Sequence, residues 1–163
     1  MKIYKKLKME SAPTPLNFIG PKQIATSLDE NKVLDVYGAE YTKGVKLILY
    51  QNHKQLNQKF FFEKVGLAEY IIRAAHSNLV LGVEGGYLDI SDKPINDVRS
   101  VVQLPQTNDN GQKWILEDAK NGYYFIRNTL GWYLDLCRSN TSDLTPINIH
   151  PFNGTKAQQF KII

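Results

Sequence analysis

The sequence predicts an all-β fold assembled from three copies of one unit. Short runs of β-branched and aromatic residues recur along the chain, divided by polar turns. Three segments also end alike, in Gln, one further residue, then an aromatic. No window of eleven residues keeps apolar side chains at i, i+3, i+4 and i+7, so no helix is expected.

The predicted strands include Val45-Lys-Leu-Ile-Leu-Tyr50, Tyr70-Ile-Ile-Arg73, Leu79-Val-Leu81, Val101-Val-Gln-Leu104, Tyr123-Tyr-Phe-Ile-Arg127 and Ile147-Asn-Ile149. Turn residues separate them at Gly85-Gly86, Asn110-Gly111, Asn121-Gly122 and Asn153-Gly154. Many short strands with a turn every ten or so residues mean a sandwich or a barrel. The repeated ends are Gln58-Lys-Phe60, Gln112-Lys-Trp114 and Gln158-Gln-Phe160, at intervals of 54 and 46 residues. Each has an apolar strand upstream: Val33-Leu-Asp35-Val36, Leu79-Val-Leu-Gly82-Val83 and Tyr133-Leu-Asp135-Leu136. Copies two and three share Tyr70-Ile-Ile-Arg73 and Tyr124-Phe-Ile-Arg127 as well. Three elements in register identify an internal repeat.

The 163 residues fit one domain. With 42% hydrophobic and 22% charged residues, the chain is neither disordered nor collagenous. The net charge of +4 is concentrated in the first ten residues, where Lys2, Lys5, Lys6 and Lys8 face only Glu10. The remaining 16 basic and 15 acidic residues nearly balance, whereas a nucleic-acid-binding domain carries a basic face on its folded part. The charge is therefore read as a solvated tail, with attraction to an anionic surface as the alternative. Ser11-Ala-Pro-Thr-Pro15 is an extended linker, so residues 1–16 form a basic tail and 17–163 the domain. No stretch reaches the roughly 18 apolar residues of a membrane span. The N-terminus lacks the apolar core of a secretory signal, which implies a cytoplasmic or non-classically exported protein. A single cysteine, Cys137, excludes an internal disulfide framework and a multi-cysteine zinc site.

The three Gln-x-aromatic segments and the Leu-Asp strands resemble the ricin-B-type lectins, specifically the branch without intra-repeat disulfides. The resemblance covers about residues 17–163. It implies a β-trefoil, a capped six-stranded barrel of three pseudo-threefold repeats with about four strands each, here 17–65, 66–118 and 119–163. It also implies a non-enzymatic, cofactor-free protein whose partners are glycans carrying galactose or N-acetylgalactosamine. Within the motif, Gln58, Phe60, Gln112, Trp114, Gln158 and Phe160 are expected to hold the fold. Phe replaces the family's Trp twice, a tolerable apolar exchange.

In such lectins a strand-end Asp accepts hydrogen bonds from two adjacent sugar hydroxyls. An aromatic stacks on the C–H face of the ring, and an Asn before the motif Gln adds a polar contact. Sites of this kind are weak, about 0.1–1 mM or about −4 to −5 kcal/mol, and several together supply avidity. In the first repeat Tyr50 follows Asp35 by fifteen residues, and Asn57 directly precedes Gln58. Alternation turns Leu47 and Leu49 inward, Ile48 and Tyr50 outward. In the third repeat His150 follows Asp135 by fifteen residues, with Ile147 and Ile149 inward and Asn148 and His150 outward. Ala157 stands where Asn is expected, and Asn153 is its substitute, with Trp132 and Phe152 at the mouth. The plain alternative is a turn-capping Asp beside a surface Tyr, or a polar turn with an incidental His.

The second repeat has Gly82 at the Asp position, Leu104 at the aromatic position and Gly111 for Asn, plus extra residues from Gly85 to Ser100. A competing register places Asp89 of Tyr87-Leu-Asp89-Ile90 there. Gly82 is preferred because nine residues separate it from Arg73, close to the eight between Arg127 and Asp135. Without carboxylate or platform, this copy is read as inactive. The runner-up function is a trefoil whose loops bind a protein, as in trefoil protease inhibitors.

Other signals are weak. His53, His76 and His150 are too scattered to ligate a metal. Gly82-x-x-Gly85-Gly86 has no following Lys-Ser/Thr. Asn140-Thr-Ser142 and Asn153-Gly-Thr155 match the glycosylation pattern, and are expected to be unused without a signal peptide. Cys137 follows Leu136, so it shares the outer face with Asp135, about 7 Å along the strand. The chain is thus expected as a monomer or as a disulfide-linked homodimer through Cys137. Non-reducing electrophoresis after air oxidation checks this: a dimer band that disappears in Cys137→Ser is the expected outcome.

Overall fold

The computed structural model describes residues 18–85 and 99–163. The basic tail, the start of the domain at residue 17 and the Asp89 register lie outside the described residues.

Twelve strands form in the described residues, four to a repeat. The first repeat holds β1 (Ile24–Thr26), β2 (Asp29–Val36), β3 (Leu47–Gln51) and β4 (Phe60–Lys64). The second holds β5 (Glu69–Ala74), β6 (Val80–Val83), β7 (Arg99–Leu104) and β8 (Trp114–Asp118). The third holds β9 (Tyr124–Asn128), β10 (Tyr133–Leu136), β11 (Ile147–His150) and β12 (Gln159–Ile162). Helical structure in the described residues is limited to three-residue 3-10 turns, one of which ends at each motif Gln.

The outer strands of each repeat close a six-stranded antiparallel barrel. β4 pairs with β5, β5 with β8, β8 with β9, β9 with β12 and β12 with β1. A bridge between Lys22 and Phe60 completes the ring. The middle strands form three hairpins, β2–β3, β6–β7 and β10–β11, that cap one end. The fold is a β-trefoil.

Equivalent positions supply the core in threes. Ile24, Ile72 and Ile126 are fully buried, as are Leu34, Leu81 and Leu134, and so are the motif aromatics Phe60, Trp114 and Phe160. Alternation along each strand turns these side chains inward and leaves their neighbours to the outer face. Trp114 also donates its indole Nε1–H to the Leu81 carbonyl at 3.1 Å, so its polar edge is satisfied in the core.

The motif glutamines work identically in all three repeats. Each accepts a backbone N–H five residues upstream: His53, Thr107 and Asn153 at 2.9, 2.8 and 3.0 Å. Each donates to a carbonyl seven residues upstream: Gln51, Pro105 and Pro151 at 2.9, 3.0 and 2.9 Å. One buried amide thus fastens the loop that leads from the cap hairpin to the next barrel strand. The Tyr-x-Ile-Arg likeness also has a structural basis. Arg73 pairs with Glu63 at 2.5 Å, and Arg127 pairs with Glu117 ten residues before it in the same way.

Replacing Trp114 with Ala removes the largest of the three central aromatics and its hydrogen bond. Such a truncation is expected to cost about 3–5 kcal/mol. Thermal or denaturant unfolding of Trp114→Ala measures it.

Candidate functional site

Strand register places the candidate residues before any cavity is considered. Asp35 lies opposite Ile48, Asp135 opposite Asn148 and Gly82 opposite Val102. Two residues on, Tyr50, His150 and Leu104 oppose Val33, Tyr133 and Val80. Gly82 is therefore the structural counterpart of both aspartates.

The first cleft, about 470 Å³, is lined by Asp35, Ile48, Tyr50 and Asn57, the four residues singled out in this repeat. Asp35 is only 3% exposed. Its Oδ1 accepts from Asn57 Nδ2 at 3.1 Å, and its Oδ2 from Gln58 Nε2 at 2.8 Å. His53, which the sequence reading did not select, brings Nε2 to 3.3 Å from Oδ2. The His53 Nδ1 accepts the Gln55 N–H at 3.2 Å, so the ring proton sits on Nε2 and points at Asp35. Tyr50 and His53 rings lie 6.0 Å apart. Gln58 thus serves fold and cleft with one amide group.

A carboxylate offers about four acceptor positions, and three on Asp35 are engaged internally. Oδ1 retains capacity for an incoming hydroxyl. The approach to Oδ2 is bordered by His53, whose side chain is 32% exposed.

The third cleft, about 540 Å³, is lined by Asp135, Asn148, His150 and Asn153, again the four residues singled out. Asp135 is 9% and Asn148 7% exposed, so outward direction here still means burial under the loops. His150 Nδ1 donates to the Pro151 carbonyl at 2.8 Å, which leaves Nε2 as the acceptor nitrogen. The Asn153 Oδ1 accepts from Thr155 N and Oγ at 3.0 and 2.8 Å. What Asn153 offers a ligand is therefore its amide N–H. Cys137 is half-buried and lines this cleft too, in the 3-10 turn Cys137–Ser139 that follows β10.

Two expectations for the mouth of the third cleft are corrected. Trp132 is 2% exposed and belongs to the core. Phe152 is exposed but stacks edge-on against Phe125 at 5.2 Å and tilted against Tyr133 at 5.2 Å, away from the cleft lining. Trp132 follows the chain-reversing Gly131, where neither its strand phase nor its burial can be read locally.

In the second repeat, the space is filled. A Cβ at Gly82 would sit 3.0 Å from Leu104 Cδ1 and 3.2 Å from Gln112 Cγ. Leu104 packs where an Asp side chain would stand, and no carboxylate or ring replaces it among the described residues.

Burial pushes the Asp35 carboxyl above the ordinary carboxylate range, against the opposing pull of Gln58, His53 and Asn57. Burial does the same to Asp135, opposed by Gln158 and His150. A raised carboxyl holds its proton to higher pH in the folded state than in the unfolded one. Its ionised form therefore weighs against folding above that range, and the burden is relieved as pH falls through it. The melting temperature of the wild type should rise relative to Asp35→Asn as pH is lowered through this window. A pH series of melting curves on both proteins checks the sign.

Residues 84–150 match the model of a family described as ricin-type beta-trefoil lectin domain-like. No curated protein matches the sequence. Among solved structures, the chain is similar to ThreeFoil, a designed 3-fold symmetric protein, with TM-score 0.80 and 26% identity over 89% of this chain and 99% of that one. It is similar to the Macrolepiota procera ricin B-like lectin in complex with lactose, with TM-score 0.70 and 23% identity over 91% and 98%. It is also similar to an exo-beta-1,3-galactanase from Clostridium thermocellum, with TM-score 0.78 and 21% identity over 91% of this chain, which spans 31% of the enzyme. The matched residues fall in the second and third repeats, and these solved structures share the β-trefoil fold.

Proposed function

We propose that this domain is a non-enzymatic lectin that binds galactose or N-acetylgalactosamine residues of glycans through its first and third clefts. The observation that carries the reading is a pairing repeated at equal register. A buried carboxylate and a ring fifteen residues later share one open cleft in two repeats, and both are missing from the second. Asp35 and Asp135 accept sugar hydroxyls, and Tyr50 and His150 stack on the apolar ring face. Asn57 positions Asp35 in the first cleft. In the third, Asn148 and the Asn153 amide supply polar contacts.

The choice of galactose is supported by two neighbours. The Macrolepiota procera lectin is complexed with lactose, a galactoside, and the Clostridium thermocellum protein is a galactanase. The acceptor capacity left on Asp35 Oδ1 suits a sugar hydroxyl, and the open cleft above it suits one terminal sugar. Each cleft is weak by itself, so two on one domain favour surfaces that display many copies of the glycan.

Calorimetry with galactose tests the reading. The wild type should bind two sugars, at about 0.1–1 mM each. Asp35→Ala and Asp135→Ala should each leave one, and the double variant none. Undiminished stoichiometry in the double variant overturns the proposal. Because burial raises both carboxyls, binding should weaken on acidification before ordinary carboxylates titrate, as the acceptors become protonated. Affinity measured from pH 7 downward checks this.

A further inference from the structure

The first cleft has an apolar annex that the first and third repeats build together. Beside Asp35 and Tyr50 lies a second hollow of about 360 Å³, walled by Tyr37, Val45, Ile48, Leu144 and Pro146. It shares Tyr37, Glu40, Ile48 and Leu144 with the sugar cleft, so the two adjoin. Carbon atoms make nearly all of its surface.

Leu144 is the unusual member. It is 54% exposed, and its backbone lies in the left-handed region with φ 71°. A branched residue is strained there, and folding gives no reason to expose it. The threefold symmetry supplies the comparison. Leu144 N donates to the Leu49 carbonyl and Leu49 N to the Thr145 carbonyl, both at 2.8 Å. Gly44 N and Gln103 N make the same pair of bonds to Gln103 and Val45 carbonyls, at 2.7 and 3.0 Å. Gly44 is therefore the counterpart of Leu144, with φ 86°, and a Cβ there would meet nothing within 4 Å. Gly44 overhangs the second repeat, where Leu104 fills the cleft. The residue that overhangs the Asp35 cleft is instead a strained, exposed leucine.

Leu144 is also held in place. The adjacent Asp143 accepts from Lys32 at 2.5 Å and from Gln51 N at 3.0 Å, fastening the loop to the first repeat's hairpin. On its other side Thr145 is buried, and Pro146 bridges to Ile48. A fixed apolar edge at φ 71° costs backbone energy that glycine would relieve, so its presence points to a use other than folding.

Resting on the sugar reading of the Asp35 cleft, we infer that this cleft selects galactosides carrying an apolar aglycone, aryl or alkyl, seated between Tyr37 and Leu144. The four residues shared with the sugar cleft put the hollow within reach of a group attached to the sugar. The carbon lining favours an uncharged apolar group, and Glu40 and Lys46, which both border the hollow, carry opposite charges and so favour neither an anionic nor a cationic extension.

The test uses Asp135→Ala as the parent, so that only the first cleft binds. Calorimetry then compares methyl β-galactoside with phenyl β-galactoside. The phenyl compound should bind about tenfold more tightly. In Asp135→Ala/Leu144→Gly the preference should fall toward unity, with a melting temperature no lower than the parent's because glycine suits the left-handed backbone. Asp135→Ala/Tyr37→Ser should reduce the preference too, and serves if the glycine variant fails to fold. Equal affinity of the parent for the two galactosides overturns the inference alone. A preference that survives both variants also overturns it. If the parent binds neither galactoside, the sugar reading of the cleft fails and this inference falls with it.

Discussion

The side-chain amide of the motif glutamine is the contact on which both scaffold and clefts depend. In each repeat its oxygen takes the N–H five residues upstream, joined in the first repeat by that of Lys54, and its nitrogen meets one carbonyl of the loop that follows the cap hairpin. That loop is exposed and irregular, so backbone groups along it lack the partners that a sheet ladder gives. The glutamine supplies them from the next strand's entrance, which sets the aromatic two residues later into the barrel. In the first repeat the same Nε2 also donates to Asp35. Core and cleft are therefore assembled by one group, and the carboxylate is oriented by the device that closes the fold.

This coupling explains what was legible in the sequence. Gln58, Gln112 and Gln158 with Phe60, Trp114 and Phe160 are local signals at fixed spacing, and they sit where that spacing puts them. The register of Asp35 with Ile48 and of Asp135 with Asn148 follows from strand alternation and hairpin length, both of which are local. The eight cleft residues named from sequence line two clefts for the same reason. Spacing from Arg73 favours Gly82 over Asp89, and the pairing of Gly82 with Val102 agrees.

What the sequence hid is contact between repeats or between side chains of one loop. His53 stands five residues before Gln58, a position where the fold asks only for a backbone N–H. Its ring reaches Asp35 because the loop curls back, which no periodicity records. Tyr37 and Leu144 come from different repeats, a hundred residues apart, and meet only after the cap closes. Trp132 is expected at the cleft mouth because an aromatic beside a glycine turn suits either surroundings. Burial decided otherwise.

Symmetry makes the departures from symmetry meaningful. The buried layers of isoleucine, leucine and motif aromatics are nearly interchangeable among repeats, as a shared barrel requires. The outer face of the cap hairpins is under no such demand, since each hairpin covers its own cleft. There the copies diverge: Asp35 and Asp135 against Gly82, Tyr50 and His150 against Leu104, Gly44 against Leu144. The Gly82–Leu104 pair is the better solution for stability, because it fills the space with carbon and buries no charge. The two aspartates are the worse solution, since burial raises their carboxyls. Leu144 adds strain where Gly44 has none. The positions where this chain departs from its own most stable choice gather at open clefts, and the strongest gathering, Asp35 with Leu144 overhead, is at the first.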